Sequence, residues 1–110
     1  MFFDEIYANF NRLNNNEKEE VKNIIISYLE NISDMVKDKE YIQNKIKEIK
    51  DINVESIVDI QKIHKIMIDI SRDSTNNKNI RMRNNLPINS DPWNFFPRAK
   101  EFVENIKKRR

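Results

Sequence analysis

The 110-residue chain contains no glycine. Tight hairpin turns and many helix ends use glycine because it adopts positive φ without steric cost. A β-rich fold of this length is therefore improbable without glycine. Asparagine is the next most tolerant residue at positive φ, and we expect it to close the turns. The sequence thus predicts an all-α fold.

Length and composition narrow the prediction further. A smaller unit would bury too little surface to be stable, so we expect residues 1–110 to form one helical domain. There is no cysteine, which excludes disulfides and thiolate zinc sites. The first residues lack the basic and apolar regions of a signal peptide, and no apolar run approaches the ~18 residues of a membrane span. We therefore expect a cytoplasmic protein with no membrane partner.

A seven-residue rhythm begins at Val21 and predicts buried helical surface. One apolar row consists of Val21, Tyr28, Met35, Ile42 and Ile49, and a second row consists of Ile25, Ile32, Lys39 and Ile46. The same rhythm returns at Ile60, Ile63, Met67 and Ile70. Alternating spacings of three and four are typical of helices that pack at a shallow angle, as in coiled coils. The pattern places Lys39 in an otherwise apolar seam.

We predict a small bundle of about four helices, with a helical core over residues 1–71, a long loop over 72–96 and a basic C-terminal segment over 97–110. The predicted helices are 2–13, 16–50 (with a break near Met35–Lys39 as an alternative), 54–71 and 97–109. Asn16 and Glu19 have the spacing of a capping box. Asp91 and Pro92 suit the start of a short helical turn, and Pro97 suits the start of the last helix.

The competing interpretation is one continuous helix over residues 16–71. Such a helix would span ~80 Å at 1.5 Å per residue and could not be compact alone. It would imply a homo-oligomer, namely a self-associating coiled-coil structural protein.

Charge is distributed unevenly along the chain. Residues 1–60 hold 13 acidic and 8 basic side chains, whereas residues 61–110 hold 5 acidic and 12 basic ones, for a net charge of +2. This asymmetry is compatible with pairing between the two halves, with head-to-tail association, or with a basic surface for a polyanion.

The sequence contains no recognisable catalytic motif. His64 is the only histidine, and without cysteine or glycine there is no Cys–His pair, no multi-histidine metal site and no phosphate-binding loop. His64 lies in a predicted helix, next to Ile63 of the buried row. We interpret it as a residue at the edge of the buried face of that helix. We expect a protein that is not an enzyme and that has no cofactor or metal.

An aromatic cluster between Pro92 and Pro97 is the most distinctive local feature. Trp93, Phe95 and Phe96 either cover the helical core or contact a partner, because aromatic residues and arginine are enriched among binding hot spots. The leading prediction is a non-enzymatic protein–protein interaction module: an adaptor, an assembly subunit or an inhibitor of a larger complex. Its predicted contact residues are Trp93, Phe95, Phe96, Arg81 and Arg83.

The alternative partner is nucleic acid. Basic residues near exposed aromatic rings can follow a phosphate backbone without reading sequence. The residues that would do so are Arg81, Arg83, Arg98, Lys100, Lys107, Lys108, Arg109 and Arg110. A contiguous basic face would favour this alternative, whereas pairing with the acidic half of the chain would favour a protein partner.

Overall fold

A computed structural model describes residues 2–36, 38–71 and 91–108. Within these ranges the chain forms five α-helices and no β-strand, so the all-α prediction is confirmed. The helices are α1 (Phe2–Asn9), α2 (Asn15–Ile32), α3 (Lys39–Lys50), α4 (Ile57–Ser71) and α5 (Pro97–Lys107). Short 3-10 helices follow α1 at Phe10–Arg12 and α2 at Ser33–Met35, and another precedes α5 at Pro92–Phe95.

The helix predicted over residues 16–50 is two helices, and the division between them agrees with the alternative prediction of a break near Met35–Lys39. The Ser33 hydroxyl donates to the Glu30 carbonyl at 2.8 Å and so competes for the last turn of α2. Val36 is extended, with φ −109° and ψ 152°. The side chain of Asp38 then accepts a hydrogen bond from the Tyr41 N–H at 3.0 Å and caps α3. Local polar groups thus end one helix and begin the next.

The capping box of α2 lies two residues earlier than predicted. Asn14, not Asn16, is the N-cap, and its side chain accepts a hydrogen bond from the Glu17 N–H at 2.9 Å. The Glu17 carboxylate in turn accepts from the Asn14 N–H at 3.1 Å. Three consecutive asparagines made several cap positions compatible with the sequence, and Asn14 has the required extended backbone.

Lys39 does not lie in an apolar seam, so that prediction is wrong. It is the first residue of α3, its side chain is 64% exposed, and it pairs with Asp34 at 3.2 Å. The break between α2 and α3 interrupts the seven-residue register at this position. The rhythm therefore marks the buried faces of separate helices rather than one continuous seam.

A second break separates α3 from α4, so the continuous helix over residues 16–71 is also wrong. One carboxylate oxygen of Asp59 accepts hydrogen bonds from the N–H groups of Glu55 at 2.9 Å and Ser56 at 3.0 Å. These bonds cap α4 and lower the pKa of Asp59, with the Glu55 N–H contributing most. The greatest dimension of the fold is 38 Å, which is shorter than a fifty-five-residue helix.

Lys22 fixes α2 and α3 as an antiparallel pair. Its ammonium group, near the start of α2, donates to the Ile52 carbonyl at 3.0 Å and the Lys50 carbonyl at 3.5 Å, at the end of α3. The short connection joins the end of α2 to the start of α3, while Lys22 joins the start of α2 to the end of α3. The two helices therefore run in opposite directions. A cation beside the last carbonyls of a helix also suits the helix dipole.

The predicted rows contribute about half of the buried apolar residues of the core, which also includes residues outside the rows such as Ile24 and Leu29. Residues of both rows and of α4 are buried, as are parts of α1, of α5 and of the 3-10 helix Pro92–Phe95, which is called the 3-10 turn below. The buried members of the predicted pattern are Val21, Ile25, Tyr28, Ile32, Ile42, Ile46, Ile49, Ile60, Ile63, Met67 and Ile70. The side chain of Met35 lies outside the described residues.

Candidate interaction surface

Two prolines fix the segment that leads into α5. Pro92 opens the 3-10 turn and Pro97 opens α5, positions at which a missing N–H costs nothing and a fixed φ is an advantage. Between them, the Asn94 N–H donates to the Asp91 carbonyl at 3.0 Å and the Phe96 N–H donates to the Trp93 carbonyl at 3.2 Å. The backbone that carries the aromatic cluster is therefore closely constrained.

The cluster divides into core and surface members. Trp93 is only 4% exposed and meets the ring of Phe3 edge-on, with centroids 6.2 Å apart. Phe96 is half-buried and meets Tyr28 edge-on at 5.8 Å. Both rings thus lie against the helical core, and Trp93 is not accessible in the folded chain as a contact residue.

Phe95 is the exposed member of the cluster. Its side chain is 41% exposed although both neighbouring rings are packed inward. Among the large apolar side chains of the described residues, only Ile57 (38%) and Val58 (53%), at the start of α4, are comparably exposed. Sequence reasoning missed this pair. The available signal was that Val58 does not belong to the apolar row that starts at Ile60.

Two of the basic residues predicted to bind nucleic acid pair with the acidic half of the chain. The Arg98 guanidinium, on α5, binds the Glu20 carboxylate at 2.6 Å and 3.1 Å and the Ser27 hydroxyl at 2.7 Å, both on α2. Lys107 lies 3.8 Å from Glu5 on α1. These contacts tie α5 to α2 and α1 and are pairs of the kind that one of the three interpretations, pairing between the two halves, predicts.

The other predicted basic residues are less constrained. Lys100 and Lys108 are exposed, and neither forms an ion pair within the described part of the chain. Four of the predicted contact residues lie outside the described residues, so the structure does not bear on them: Arg81, Arg83, Arg109 and Arg110.

His64 lies where α1, α4 and the 3-10 turn meet. Its ring stacks on Phe3 at 4.1 Å with an interplanar angle of 10°, and its Nδ1 is 2.8 Å from the Tyr7 hydroxyl. Burial lowers the pKa of His64, while the negative charges of Asp4 and Asp91 act in the opposite direction. The imidazole is therefore neutral near neutral pH.

The surroundings of His64 favour a role in packing over one in catalysis. The ring opens on a pocket of about 80 Å³ that also exposes Asp4, Asp91 and Asn94. The hydroxyl within reach belongs to Tyr7, and burial together with Asp4 raises the pKa of Tyr7, which disfavours the phenolate that a nucleophile would require. In the ranges that the structure covers, no three His, Asp or Glu side chains are grouped as a metal site would need.

No family model, curated protein or solved structure matches this chain. Among the described residues, none of the helices combines the length and apolarity needed to cross a membrane.

Proposed function

We propose that the protein is a non-enzymatic interaction module, an adaptor, assembly subunit or inhibitor, that contacts a protein partner through Phe95. The observation that carries the proposal is the exposure of this phenylalanine on a turn whose neighbouring rings are buried. A partner that covers this ring gains the transfer of its apolar surface out of water.

The rigidity of the turn reduces the conformational entropy that is lost when a partner binds Phe95. Binding normally orders side chains and loops at an interface, at about 0.5–1.5 kcal/mol for each immobilised side chain. Here the prolines at 92 and 97 and the packing of Trp93 and Phe96 hold the backbone of Phe95 before any partner arrives. Pre-organisation of this kind raises affinity without adding contacts.

The surroundings of Phe95 suit a protein partner. Arg98 follows Phe95 by three residues, and its side chain, 43% exposed, is already oriented by Glu20 and Ser27. Aromatic residues and arginine are both enriched in the cores of protein interfaces. Nucleic acid is the weaker candidate, because Arg98 is tightly paired with Glu20 and would have to give up this partner to bind phosphate.

The test is site-specific photocrosslinking in the native host. A benzophenone amino acid replaces Phe95 in one variant and the exposed Gln61 of α4 in a matched control. We expect a single protein adduct from position 95, none from position 61, and no change after nuclease treatment or at raised salt. Adducts that vanish with nuclease, or equal adducts from both positions, would contradict the proposal.

A second measurement uses the partner identified in this way. Phe95→Ala should weaken binding by at least ~1 kcal/mol, the threshold for residues that matter in alanine scans. Val58→Ala provides the matched control, since Val58 is also apolar and exposed but lies on α4. Both variants should keep the melting temperature of the parent chain.

A further inference from the structure

A groove of about 210 Å³ lies between the start of α1 and one face of α5. Its apolar lining consists of Val103, which is partly exposed, and of Phe2 and Ala99, which are almost fully buried. Its polar lining consists of Asn94, Lys100, Glu104 and Lys107. Pockets that hold whole small ligands usually measure about 300–1,000 Å³, so this groove is matched to a single side chain rather than to a cofactor.

Lysines outnumber carboxylates among the residues that line the groove. Lys100 is exposed and has no ion pair in the described part of the chain. Lys107 has only a long contact with Glu5, at 3.8 Å, and half of its side chain remains exposed. Lys108 is not a lining residue but follows Lys107 directly and is also exposed. Glu104 is the one carboxylate among the lining residues, so cations outnumber anions there.

Asn94 adds a polar side chain to the lining of the groove. Its Oδ1 accepts a hydrogen bond from the Phe2 N–H at 2.9 Å, which ties the 3-10 turn to the first turn of α1. This bond fixes the orientation of the amide and leaves its NH₂ group as a donor. A donor in a lining that also contains Lys100 and Lys107 complements a carboxylate.

We propose that this groove binds an acidic peptide segment of a protein partner, with one apolar side chain between α1 and α5 and a carboxylate against Lys100. The apolar lining selects the side chain, and the excess of cations among the lining residues selects its acidic neighbours. The site is distinct from Phe95, so the inference goes beyond the function proposed above and is tested separately from it.

The probe is a library of short random peptides displayed on phage and selected against the full chain. We expect the selected peptides to carry one apolar residue flanked by Asp or Glu. The affinity of a synthetic representative is then measured by fluorescence polarisation. Lys100→Glu should weaken binding roughly fivefold, and Glu104→Gln should strengthen it roughly twofold, as expected for charges at an exposed rim.

Matched controls separate the groove from general electrostatics and from the Phe95 surface. Lys47→Glu makes the same charge change at an exposed position of α3 and should leave the affinity unchanged. Phe95→Ala should also leave it unchanged, so the two proposals can fail independently.

Methyl NMR spectra locate the bound peptide. The resonances of Ala99 and Val103 should shift on titration, whereas those of Val58 should not. Selected peptides without acidic residues, equal affinity for the parent chain and Lys100→Glu, or shifts confined to another helix would each overturn the inference.

Discussion

The Tyr7 hydroxyl and Nδ1 of His64 lie 2.8 Å apart and join α1 to α4 across 57 residues of sequence. In the neutral tautomer that carries its proton on Nε2, His64 accepts this hydrogen bond from Tyr7. The same ring stacks on Phe3, so a single imidazole contacts α1 through both an edge and a face. The charge state of His64 therefore affects how α1 is held on the fold.

The free energy of unfolding should decrease as the pH drops below the usual pKa of histidine, about 6.5. The pKa of His64 in the folded chain is lower than 6.5 because of burial, so the unfolded chain binds the proton more tightly. By linkage, the free energy of unfolding is unaffected by His64 above about pH 6.5 and decreases below it, until the pH passes the folded pKa. Urea denaturation between about pH 5 and about pH 8 measures this dependence.

Two variants assign the pH dependence to His64. His64→Asn keeps a polar group near Tyr7 but does not titrate, so its stability should decrease less from neutral to mildly acidic pH than that of the parent chain. Asp4→Asn removes a charge that raises the pKa of His64, and it should make the loss steeper. Equal slopes for the parent and His64→Asn would show that other groups cause the dependence.

Asn94→Ala should destabilise the fold by about 1 kcal/mol. The Asn94 side chain accepts from the Phe2 N–H, one of the N-terminal N–H groups that have no partner within α1. Removing such an acceptor costs about 0.5–2 kcal/mol in helix caps. Chemical denaturation measures the effect, and Asn105→Ala, at an exposed position of α5, is the matched control expected to change little.

Lys22→Met should cost about 1–3 kcal/mol although the new side chain is similar in length and more apolar. Lys22 is a buried charged residue, 9% exposed, and its ammonium group satisfies the carbonyls of Lys50 and Ile52. Methionine would leave these carbonyls without that donor, which carries a penalty of about this size. The same substitution at the exposed Lys47 should be nearly neutral, and equal melting temperatures for the two variants would contradict the assignment.

The sequence predicted which residues are buried better than where the helices end. The apolar rows are correct because burial on one face imposes a helical period wherever a helix exists. The helix ends depend on a few side-chain hydrogen bonds, such as those that Asp38 and Asp59 accept, which compete with helical bonds. The end of α3 at Lys50 agrees with the predicted end at residue 50, whereas α4 begins at Ile57 rather than at residue 54. Serine, aspartate and asparagine are common throughout the chain, so composition alone did not indicate which of them cap helices.

The contact surface was less predictable than the core. Trp93, Phe95 and Phe96 are neighbours in sequence and alike in chemistry, yet they differ in exposure because the 3-10 turn directs their side chains differently. No sequence period extends over so short a turn. Similarly, the sequence shows Arg98 as one of several basic residues without an evident partner. Only the fold brings Glu20 and Ser27 within hydrogen-bonding distance of it.

Lys39→Ile should leave the stability within about 0.5 kcal/mol of the parent value, as is usual for surface substitutions. If the seven-residue rhythm had continued through this position, isoleucine would have filled an apolar seam and stabilised the fold. Lys39 instead lies at the exposed start of α3, where its pair with Asp34 is screened by water. A rise in melting temperature of several degrees would show that α2 and α3 form a continuous packed seam after all.

Substituting the two neighbouring aromatic residues separately should distinguish core from contact surface. Trp93→Ala removes a ring that is 4% exposed and should destabilise the fold by about 3–5 kcal/mol, a large part of the 5–15 kcal/mol typical of a whole domain. Phe95→Ala removes a ring that is 41% exposed and should reduce partner binding with little loss of stability. Thermal denaturation followed by circular dichroism, run beside the binding assay, measures both quantities on the same samples. If Trp93→Ala kept its melting temperature while losing the partner, Trp93 itself would be the contact residue, and the exposure of Phe95 would have no part in binding.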